Sequence, residues 1–433
     1  MIELKGLNER LALTEAIKRF HTQDSNARGL AYKMILETVR RRNFLDRIIN
    51  CFLAPSSISD LDPAVRAYLR LYVYQMKTKG PDNYEMAINV ARVGRSLLGW
   101  RNLEEIEELL GLLASSEPEE IFKDLSYEEK LSLKVFLPIW FLNYCIKLFG
   151  RHEALQYLLS TMKGLPTYIR INTLKAAESE LLREIGSEGV DVEKVDGLSH
   201  SYKVVGKKAP IVRTSSFRNG FFVIQDKASC LATEVADPQP GMTVLDVCAA
   251  PGVKTTHLAQ LMENRGEIYS IDYSRRRMRI WKGEIGRMNS RISQPIIGDG
   301  VFSLPFQKIN ADVVILDPPC TSTGGFSRVP SAKWRLTSRS IRNMAVIQWK
   351  MLNHCAEFVR EGGHIVYSTC SITVEENESL IERFLRLNPD FQLDDMSPRI
   401  GLPGLRGQNL SQRLYPHLHE CNGFFIANLV NQG

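Results

Sequence analysis

The chain has 433 residues, more than one average domain needs, so we expect two or three domains. Hydrophobic residues make up 44% and charged residues 24%, a balance that excludes a disordered chain and is typical of a globular protein. The formal net charge of +6 permits nucleic-acid binding without demonstrating it, because many enzymes with small substrates are equally basic.

Targeting and metal-binding patterns are weak in this sequence. No apolar run approaches the roughly 20 residues that a membrane helix needs, and the charged N-terminus lacks the apolar centre of a signal peptide. We therefore expect a cytoplasmic protein with no membrane partner. The eight cysteines include no CxxC pair. His417, His419 and Cys421 alternate near the C-terminus, but packing explains them better than a metal, so no metal is expected.

The first part of the chain has helical periodicity. Apolar residues recur at three- and four-residue spacing, with basic residues on the other face, in ARGLAYKMILETVRRR and AVRAYLRLYVYQMK. Turn-forming residues interrupt the pattern at APSSISDLDP, KGPDN and SSEPEE. These features predict an all-helical domain over 1–164.

Shorter elements follow over 165–222. Strands are predicted at PTYIRINTL, VDVEKV, SYKVV and GFFVIQD, and an amphipathic helix at AAESELLREIGSEG. This alternation predicts a small α/β subdomain.

The rest of the chain, 223–433, alternates strands and helices. Strands are predicted at MTVLDVCA, GEIYSID, SQPIIGD, ADVVILD and GGHIVYSTC. Buried strands that alternate with helices predict a doubly wound α/β domain with a parallel sheet. Ligands of such sheets lie at the carboxyl ends of the strands, where the sharpest motifs of this sequence occur.

The motif DVCAAPGVKTT joins the first of these strands to a helix. Its small residues let the backbone approach a ligand, although any tight turn has a similar composition. The pattern G-x-G-x-x-G is absent, which argues against a dinucleotide. Asp246, Asp272 and Asp299 lie at successive strand ends. Each acid alone is typical of a helix cap, but together they favour an adenosyl ligand.

The motif ILDPPCTSTGG follows the fourth strand. Its two prolines make the loop rigid, which suits a flat base inserted edge-on. Asp317 could then meet the N3 and N4 edge of a cytosine. The alternative is a proline-stiffened turn with an incidental buried cysteine.

A third motif, HIVYSTCSITVEENE, places Cys370 at a strand end beside a helix start, where a thiolate can be stabilised. Cys320 and Cys370 therefore end neighbouring strands. Thiolate attack at C6 of a cytosine would make C5 nucleophilic enough to take a methyl group from a sulfonium. The residues alone do not say which thiol attacks: proximity to Asp317 favours Cys320, and the strand-to-helix setting favours Cys370.

These three motifs, in this order, resemble the RNA cytosine-C5 methyltransferases of the Sun/Fmu (RsmB) and NSUN type. The resemblance covers 165–433 and includes RINTLK, VIQDKAS, KWRLT and NGFFIANL. It implies a Rossmann-like, S-adenosylmethionine-dependent methyltransferase domain preceded by a small subdomain that is similar to an RNA-recognition motif (RRM-like). The helical region more loosely resembles a NusB-like RNA-binding domain.

The resemblance also implies roles for individual residues. Cys370 attacks, Cys320 promotes release, and Lys254 and Asp317 face the target base. The implied S-adenosyl-L-methionine site consists of Cys248, Ala249, Ala250, Pro251, Gly252, Lys254, Asp272, Arg277, Asp299, Gly300, Asp317 and Pro318. The sequence departs from the family pattern at Val253, where the family has a second glycine, and at Asn422, where it has an aspartate.

The expected partner is RNA, either rRNA or tRNA, bound by a monomeric enzyme. Arg40, Arg41 and Arg42 are candidates for phosphate contacts, although a solvated basic helix face explains them equally well. Two other functions remain open. One is DNA cytosine methylation, in which a cysteine after a proline attacks, as Cys320 would. The other is non-catalytic RNA binding, which only Val253 supports.

Overall fold

The computed structural model describes residues 1–21, 24–78, 84–301 and 309–433. Its contacts divide the chain into two compact units. The first comprises Met1–Lys163 and Phe326–Arg335, and the second comprises Gly164–Gly325 and Leu336–Gly433.

The first unit is helical, as predicted. Helices α3 (Ser25–Arg40) and α5 (Pro63–Thr78) coincide with the two amphipathic segments. The predicted break at KGPDN, 79–83, lies outside the described residues. Other helices of this unit are α1 (Ile2–Lys5), α2 (Glu9–Phe20), α4 (Arg42–Leu53), α6 (Tyr84–Leu98), α7 (Glu107–Ser115), α8 (Pro118–Ile121), α9 (Tyr127–Val135), α10 (Ile139–Phe149) and α11 (Arg151–Ser160).

Helix length and composition were compared with what a membrane span requires. Within the described ranges, no single helix is both long and apolar enough to cross a membrane. Helices α9 and α10 meet the criteria only as a pair, which is bent by 98°.

The second unit begins with a four-stranded antiparallel sheet, which confirms the predicted α/β segment. The strand order is β2-β3-β1-β4. Helix α12 (Glu178–Ser187) buries Leu181 and Ile185 in the same apolar cluster as Ile169 and Ile171 of the sheet. The strands are β1 (Thr167–Ile171), β2 (Val190–Lys194), β3 (Ser201–Lys207) and β4 (Phe222–Ile224).

A nine-stranded sheet follows. Its parallel part has the order β7-β6-β5-β8-β9, and the chain reverses direction across the sheet between β7 and β8. The strands are β5 (Thr243–Val247), β6 (Glu267–Asp272), β7 (Ser293–Ile297), β8 (Ala311–Leu316), β9 (Val359–Thr369), β10 (Phe391–Asp394), β11 (Leu402–Pro403), β12 (Gln412–Leu414) and β13 (Phe424–Asn431). The predicted fold class is thus confirmed, with one difference. Strand β13 pairs antiparallel with β9, β10 and β12, because a short connection from β12 permits only antiparallel pairing.

Helices cover the larger sheet. They are α14 (Lys227–Val235), α15 (Val253–Leu261), α16 (Arg275–Met288), α18 (Ser338–Ala356) and α19 (Glu378–Leu387). Helix α13 (Ser215–Arg218) packs in the apolar cluster of the smaller sheet through Phe217, α20 (Pro416–His419) lies between β12 and β13, and α17 (Ala332–Arg335) belongs to the first unit. Arg170, from the motif RINTLK, is fully buried and joins β1 to α15. Its guanidinium donates to Gln225 Oε1 at 2.9 Å and to Thr256 Oγ1 at 2.9 Å. The smaller sheet therefore fixes the helix that follows the motif DVCAAPGVKTT.

The segment Phe326–Arg335 packs within the first unit, although the sequence analysis assigned it to the domain 223–433. The Phe326 ring is fully buried, with its centroid 5.5 Å from that of Phe141. Trp334 Nε1 donates to the Val39 carbonyl at 2.6 Å. Lys333 is also buried, and burial lowers its pKa to about 7. The division into three domains remains a prediction. The two compact units differ from it because these contacts place Phe326–Arg335 with the helical region.

We expect Phe326→Ala to destabilise the first unit. Removing a buried ring leaves a cavity, and such changes reduce the free energy of unfolding by about 3–5 kcal/mol. Hydrogen exchange should therefore accelerate in α10, which packs Phe141 against the ring, with little change in β5 and β8. Phe20→Ala is the matched control because the Phe20 side chain is 69% exposed. Unchanged exchange in α10 would contradict this packing role.

Candidate active site at the carboxyl edge of the sheet

The parallel register brings the predicted motifs to one edge of the sheet. Val247 lies opposite Ile271 of β6 and Leu316 of β8, and Leu316 lies opposite Tyr367 of β9. The loops that leave these strands must therefore start side by side. This edge, at the point where the strand order reverses, is where open α/β sheets bind their ligands.

The turn 248–252 leaves β5 in an unusual backbone conformation. Cys248 has φ 68° and Gly252 has φ 106°. A side chain at Gly252 would place its Cβ 3.1 Å from the Trp281 ring, so glycine is required there by both conformation and space. The Ala249 N–H donates to the Ile271 carbonyl at 2.9 Å, and α15 starts directly afterwards at Val253. The turn thus leads directly into the start of a helix, where backbone N–H groups lack partners within the helix.

Asp272 and Arg277 lie beside this turn. The Asp272 side chain is 1% exposed and sits 2.9 Å from the Arg277 guanidinium. Arg277 also donates to the Ala250 carbonyl, which ties the end of β6 to the turn after β5. The structure therefore brings Asp272, Arg277 and the turn together.

The other two predicted acids are placed differently. Asp299 is exposed after β7, where its carboxylate accepts from the Val301 N–H at 2.9 Å, and Gly300 beside it is buried. Asp246 is buried within β5 and accepts a 2.5 Å bond from Thr255 Oγ1. Burial raises the pKa of Asp246 to about 7. Asp246 thus holds the first turn of α15 through its bond to Thr255.

Lys254 and Asp317 form an ion pair. Lys254 Nζ lies 2.5 Å from Asp317 Oδ2, and the two side chains are 12% and 32% exposed. Burial alone would lower the pKa of Lys254, but the negative charges of Asp317 and Asp246 outweigh it and raise that pKa. Pro318, which follows Asp317, is buried, as expected for a rigid loop.

The two predicted thiols are in contact. Cys320 Sγ and Cys370 Sγ are 3.0 Å apart, and Ser322 Oγ lies 3.5 Å from Cys370 Sγ. Hydrogen bonds from Cys320 and Ser322 lower the pKa of Cys370, although burial opposes the shift. The same bond to Cys370, reinforced by burial, raises the pKa of Cys320. Of the two thiols, Cys370 is therefore the one whose thiolate form is favoured.

The source of this stabilisation differs from the sequence-based expectation. Helix α19 begins at Glu378, eight positions beyond Cys370, so Cys370 does not lie at a helix start. The residues between Cys370 and Glu378 form a turn whose polar side chains are largely buried. Hydrogen bonds with side chains, and not a helix terminus, therefore stabilise the thiolate form of Cys370.

Two polar residues near the thiols were not singled out in the sequence. Ser322 has φ 54° and contacts both sulfurs, and Glu376 is fully buried beneath them. In the sequence, Ser322 cannot be distinguished from the other small polar residues of its loop. Glu376 stands in a run of three acids, VEENE, of which any could have been a solvated helix cap.

No group of three or more His, Cys, Asp or Glu side chains that could hold a metal occurs in the part of the chain that the structure describes. The alternating residues near the C-terminus serve other contacts. His419 Nδ1 accepts from the Tyr415 N–H at 2.9 Å, and Cys421 is buried in the core.

The difference in pKa between Cys320 and Cys370 can be measured by alkylating the protein in the absence of RNA. We expect iodoacetamide to modify Cys370 with a pH midpoint below that of an ordinary thiol. Cys320→Ala should move this midpoint up because it removes the principal donor. Cys320→Ser, which keeps a donor, is the control and should move it less. Site-resolved mass spectrometry distinguishes the thiols, and equal midpoints for wild type and Cys320→Ala would contradict the assignment.

Comparison with known proteins identifies relatives of both parts of the chain. A sequence profile described as 16S rRNA methyltransferase RsmB/F matches residues 233–430, and one described as NusB family matches residues 3–92. The chain is 29% identical to the "Probable ribosomal RNA small subunit methyltransferase B" of Bacillus subtilis, with 100% of this chain and 96% of that protein covered. It is 38% identical over 215 residues to the tRNA (cytosine(72)-C(5))-methyltransferase of Pyrococcus horikoshii, covering 49% of this chain and 53% of that protein.

A solved structure extends the similarity to nearly the whole chain. The crystal structure of PH0851 superposes with a TM-score of 0.85 at 30% identity, covering 96% of this chain and 93% of that one. Both profile matches fall on the regions where the sequence resemblance was seen. The chain belongs to the RsmB/F methyltransferase family and has an amino-terminal domain of the NusB family.

Proposed function

We propose that this protein is an S-adenosylmethionine-dependent enzyme that forms 5-methylcytosine in RNA through a covalent bond between Cys370 and C6 of the base. The observation that supports this most is the contact between two thiols beside a lysine–aspartate pair, at the ligand-binding edge of the sheet. The cytosine-C5 activity named for the Pyrococcus relative agrees with it.

The residues at the edge fit S-adenosylmethionine. The turn 248–252 consists mainly of small residues and leads into the start of α15, and the buried Asp272 carboxylate can accept hydrogen bonds from two ribose hydroxyls. A Cβ atom at Gly300 would lie 3.0 Å from the Met351 side chain, so there is little space for a side chain at this position. We assign the cofactor to Cys248, Ala249, Ala250, Pro251, Gly252, Lys254, Asp272, Arg277, Asp299, Gly300, Asp317 and Pro318. When bound, the cofactor supplies an electrophilic methyl group on a sulfonium.

The target cytosine would lie between the ion pair and the thiols. Asp317 accepts a hydrogen bond from the N4 amino group and also faces N3 of the base. Lys254 holds the Asp317 carboxylate in place. The same ammonium, whose field reaches Cys370, favours the thiolate form of that residue. Lys254 is the second residue of α15, and Asp317 is the first residue beyond β8.

The Cys370 thiolate attacks C6 and forms the S–C6 bond. The electron pair of the C5=C6 double bond moves to C5, which takes the methyl group. A base then removes the C5 proton, the C5=C6 bond forms again, and the S–C6 bond breaks to return the thiolate. Cys320, 3.0 Å from the attacking sulfur, assists this elimination.

The DNA-type alternative assigns the attack to Cys320. The lowered pKa of Cys370, to which hydrogen bonds with Cys320 and Ser322 contribute, favours Cys370. A thiol with a raised pKa is the weaker nucleophile near neutral pH, but it is well suited to hold or pass a proton.

The RNA is proposed to be rRNA or tRNA. Arg40 is 7% exposed and donates to the Ser327 carbonyl, so it does not face a phosphate. The Arg41 guanidinium lies 5.0 Å from the centre of the Phe136 ring, and the Arg42 side chain is 34% exposed. Arg42 is therefore the best of the three predicted phosphate contacts. A monomer suffices, because the second unit contains every proposed catalytic residue.

Asp272→Ala should weaken cofactor binding by about 1.5–3 kcal/mol, because it removes hydrogen bonds to a buried, charged acceptor. Isothermal calorimetry with S-adenosylmethionine measures the loss. Glu263→Ala is the control, since the Glu263 side chain is 67% exposed beyond α15. Unchanged affinity in Asp272→Ala, with the fold intact by circular dichroism, would place the cofactor elsewhere.

The roles of the cysteines can be separated by trapping. Cys370→Ala should be inactive and form no covalent complex with rRNA or tRNA transcripts, because it lacks the nucleophile. Cys320→Ala should accumulate a protein–RNA adduct that survives a denaturing gel, because attack remains while elimination slows. Cys355→Ala, a buried thiol on α18, is the control and should turn over. An adduct found only with Cys370→Ala would reverse the assignment, and none from either variant of an active enzyme would refute the covalent route.

A further inference from the structure

The Glu376 carboxylate is fully buried and receives five hydrogen bonds. Its Oε1 accepts from Ser371 Oγ at 2.7 Å, from Thr373 Oγ1 at 2.8 Å and from Thr321 Oγ1. Its Oε2 accepts from the Thr321 N–H at 2.9 Å and from Gln348 Nε2 at 2.8 Å. All five donors are neutral, so the carboxylate is held by hydrogen bonds that compensate its burial.

The donors come from both segments that hold the thiols. Thr321 follows Cys320 directly, and Ser371 follows Cys370 directly. A single carboxylate thus connects the neighbours of the two cysteines. Gln348, from α18, also donates to the Pro319 carbonyl at 2.9 Å, so the residue before Cys320 is held by the same cluster.

Backbone hydrogen bonds join the far end of the Cys320 loop to neighbouring segments. The Gly324 N–H donates to the Cys370 carbonyl at 2.9 Å, and the Gly423 N–H donates to the Gly324 carbonyl at 2.9 Å. These bonds lie four residues beyond Cys320. At the near end, the amide of Thr321 is held by Glu376.

We propose that Glu376 is a positioning residue for the second thiol: it keeps Cys320 beside Cys370 and so sets the rate at which the covalent adduct is resolved. This inference rests on the proposed covalent mechanism. Glu376 is itself fully buried and saturated with donors, so it acts through Thr321 and Ser371 and does not touch the base.

The proposal has a distinct kinetic signature. If only resolution of the adduct slows, kcat and the KM for RNA fall together while kcat/KM is kept, because kcat/KM reports the steps up to methyl transfer. A merely destabilised protein would instead lose active enzyme, which lowers kcat without changing KM. The two parameters therefore separate positioning from stability.

The test is Glu376→Gln in the full chain, assayed with an rRNA or tRNA transcript that the wild type methylates. The amide group of glutamine would oppose the Thr321 and Ser371 donors, so we expect about tenfold lower kcat and KM. The protein–RNA adduct should last about tenfold longer on a denaturing gel, as in Cys320→Ala. Calorimetric affinity for S-adenosylmethionine should not change.

Glu234→Gln is the matched control. Glu234 is a second buried carboxylate of the same unit, 8% exposed, and accepts from the Ser199 N–H at 2.9 Å and from Ser199 Oγ at 3.0 Å. It is joined to neither cysteine loop, so its variant should resolve the adduct at the wild-type rate.

If Glu376→Gln does not fold, Thr321→Val removes one donor with little change of shape and should lengthen the adduct lifetime in the same direction. Wild-type adduct lifetime in a folded Glu376→Gln, or in Thr321→Val where the former does not fold, overturns the positioning role. A wild-type enzyme that methylates RNA without any adduct in Cys320→Ala overturns the proposed mechanism instead, so the two failures can be told apart.

Discussion

The parallel pairing of β8 with β9 is the constraint on which the site depends. It places Leu316 opposite Tyr367, and β9 continues for two residues beyond that pair to Thr369. Cys320 reaches the sulfur of Cys370 from the other strand because its loop is short and stiffened by two prolines. A slip of one residue in this register would turn the side chains of β9 to the opposite face and part the thiols.

One hydrogen bond between identical groups creates two different thiols. The pKa of Cys370 is lowered and the pKa of Cys320 is raised, and the hydrogen bond between the two sulfurs is the largest cause of both shifts. A hydrogen bond with Ser322 also lowers the pKa of Cys370. Two residues of the same chemical type therefore differ in pKa because their surroundings differ.

Sequence periodicity and strand-end motifs predict the helical region, the smaller sheet, the parallel part of the larger sheet and the residues Asp317, Cys320 and Cys370, whereas Lys254 is predicted only by the family resemblance. They failed where the outcome depends on contacts distant in sequence. Glu376 receives donors from α18 and from the Cys320 loop, up to 55 residues away, and no local pattern distinguishes it from a solvated cap. Asp246 was grouped with the ligand acids because its position in β5 was read without its bond to Thr255. The predicted roles of all these residues still await the experiments.

The segment Phe326–Arg335 complicates any test that removes the helical region. The chain leaves the loop of Cys320 at Gly325 and enters the first unit at the next residue. A truncation of residues 1–160 would strip Phe326, Lys333 and Trp334 of the partners that bury them. Exposed apolar side chains there would favour aggregation or local unfolding next to the thiol loop. Loss of activity in such a truncation would therefore not measure RNA binding by the NusB-family domain. Substitution of the partly exposed Arg42, with the buried segment intact, tests the electrostatic contribution to RNA binding through its salt dependence.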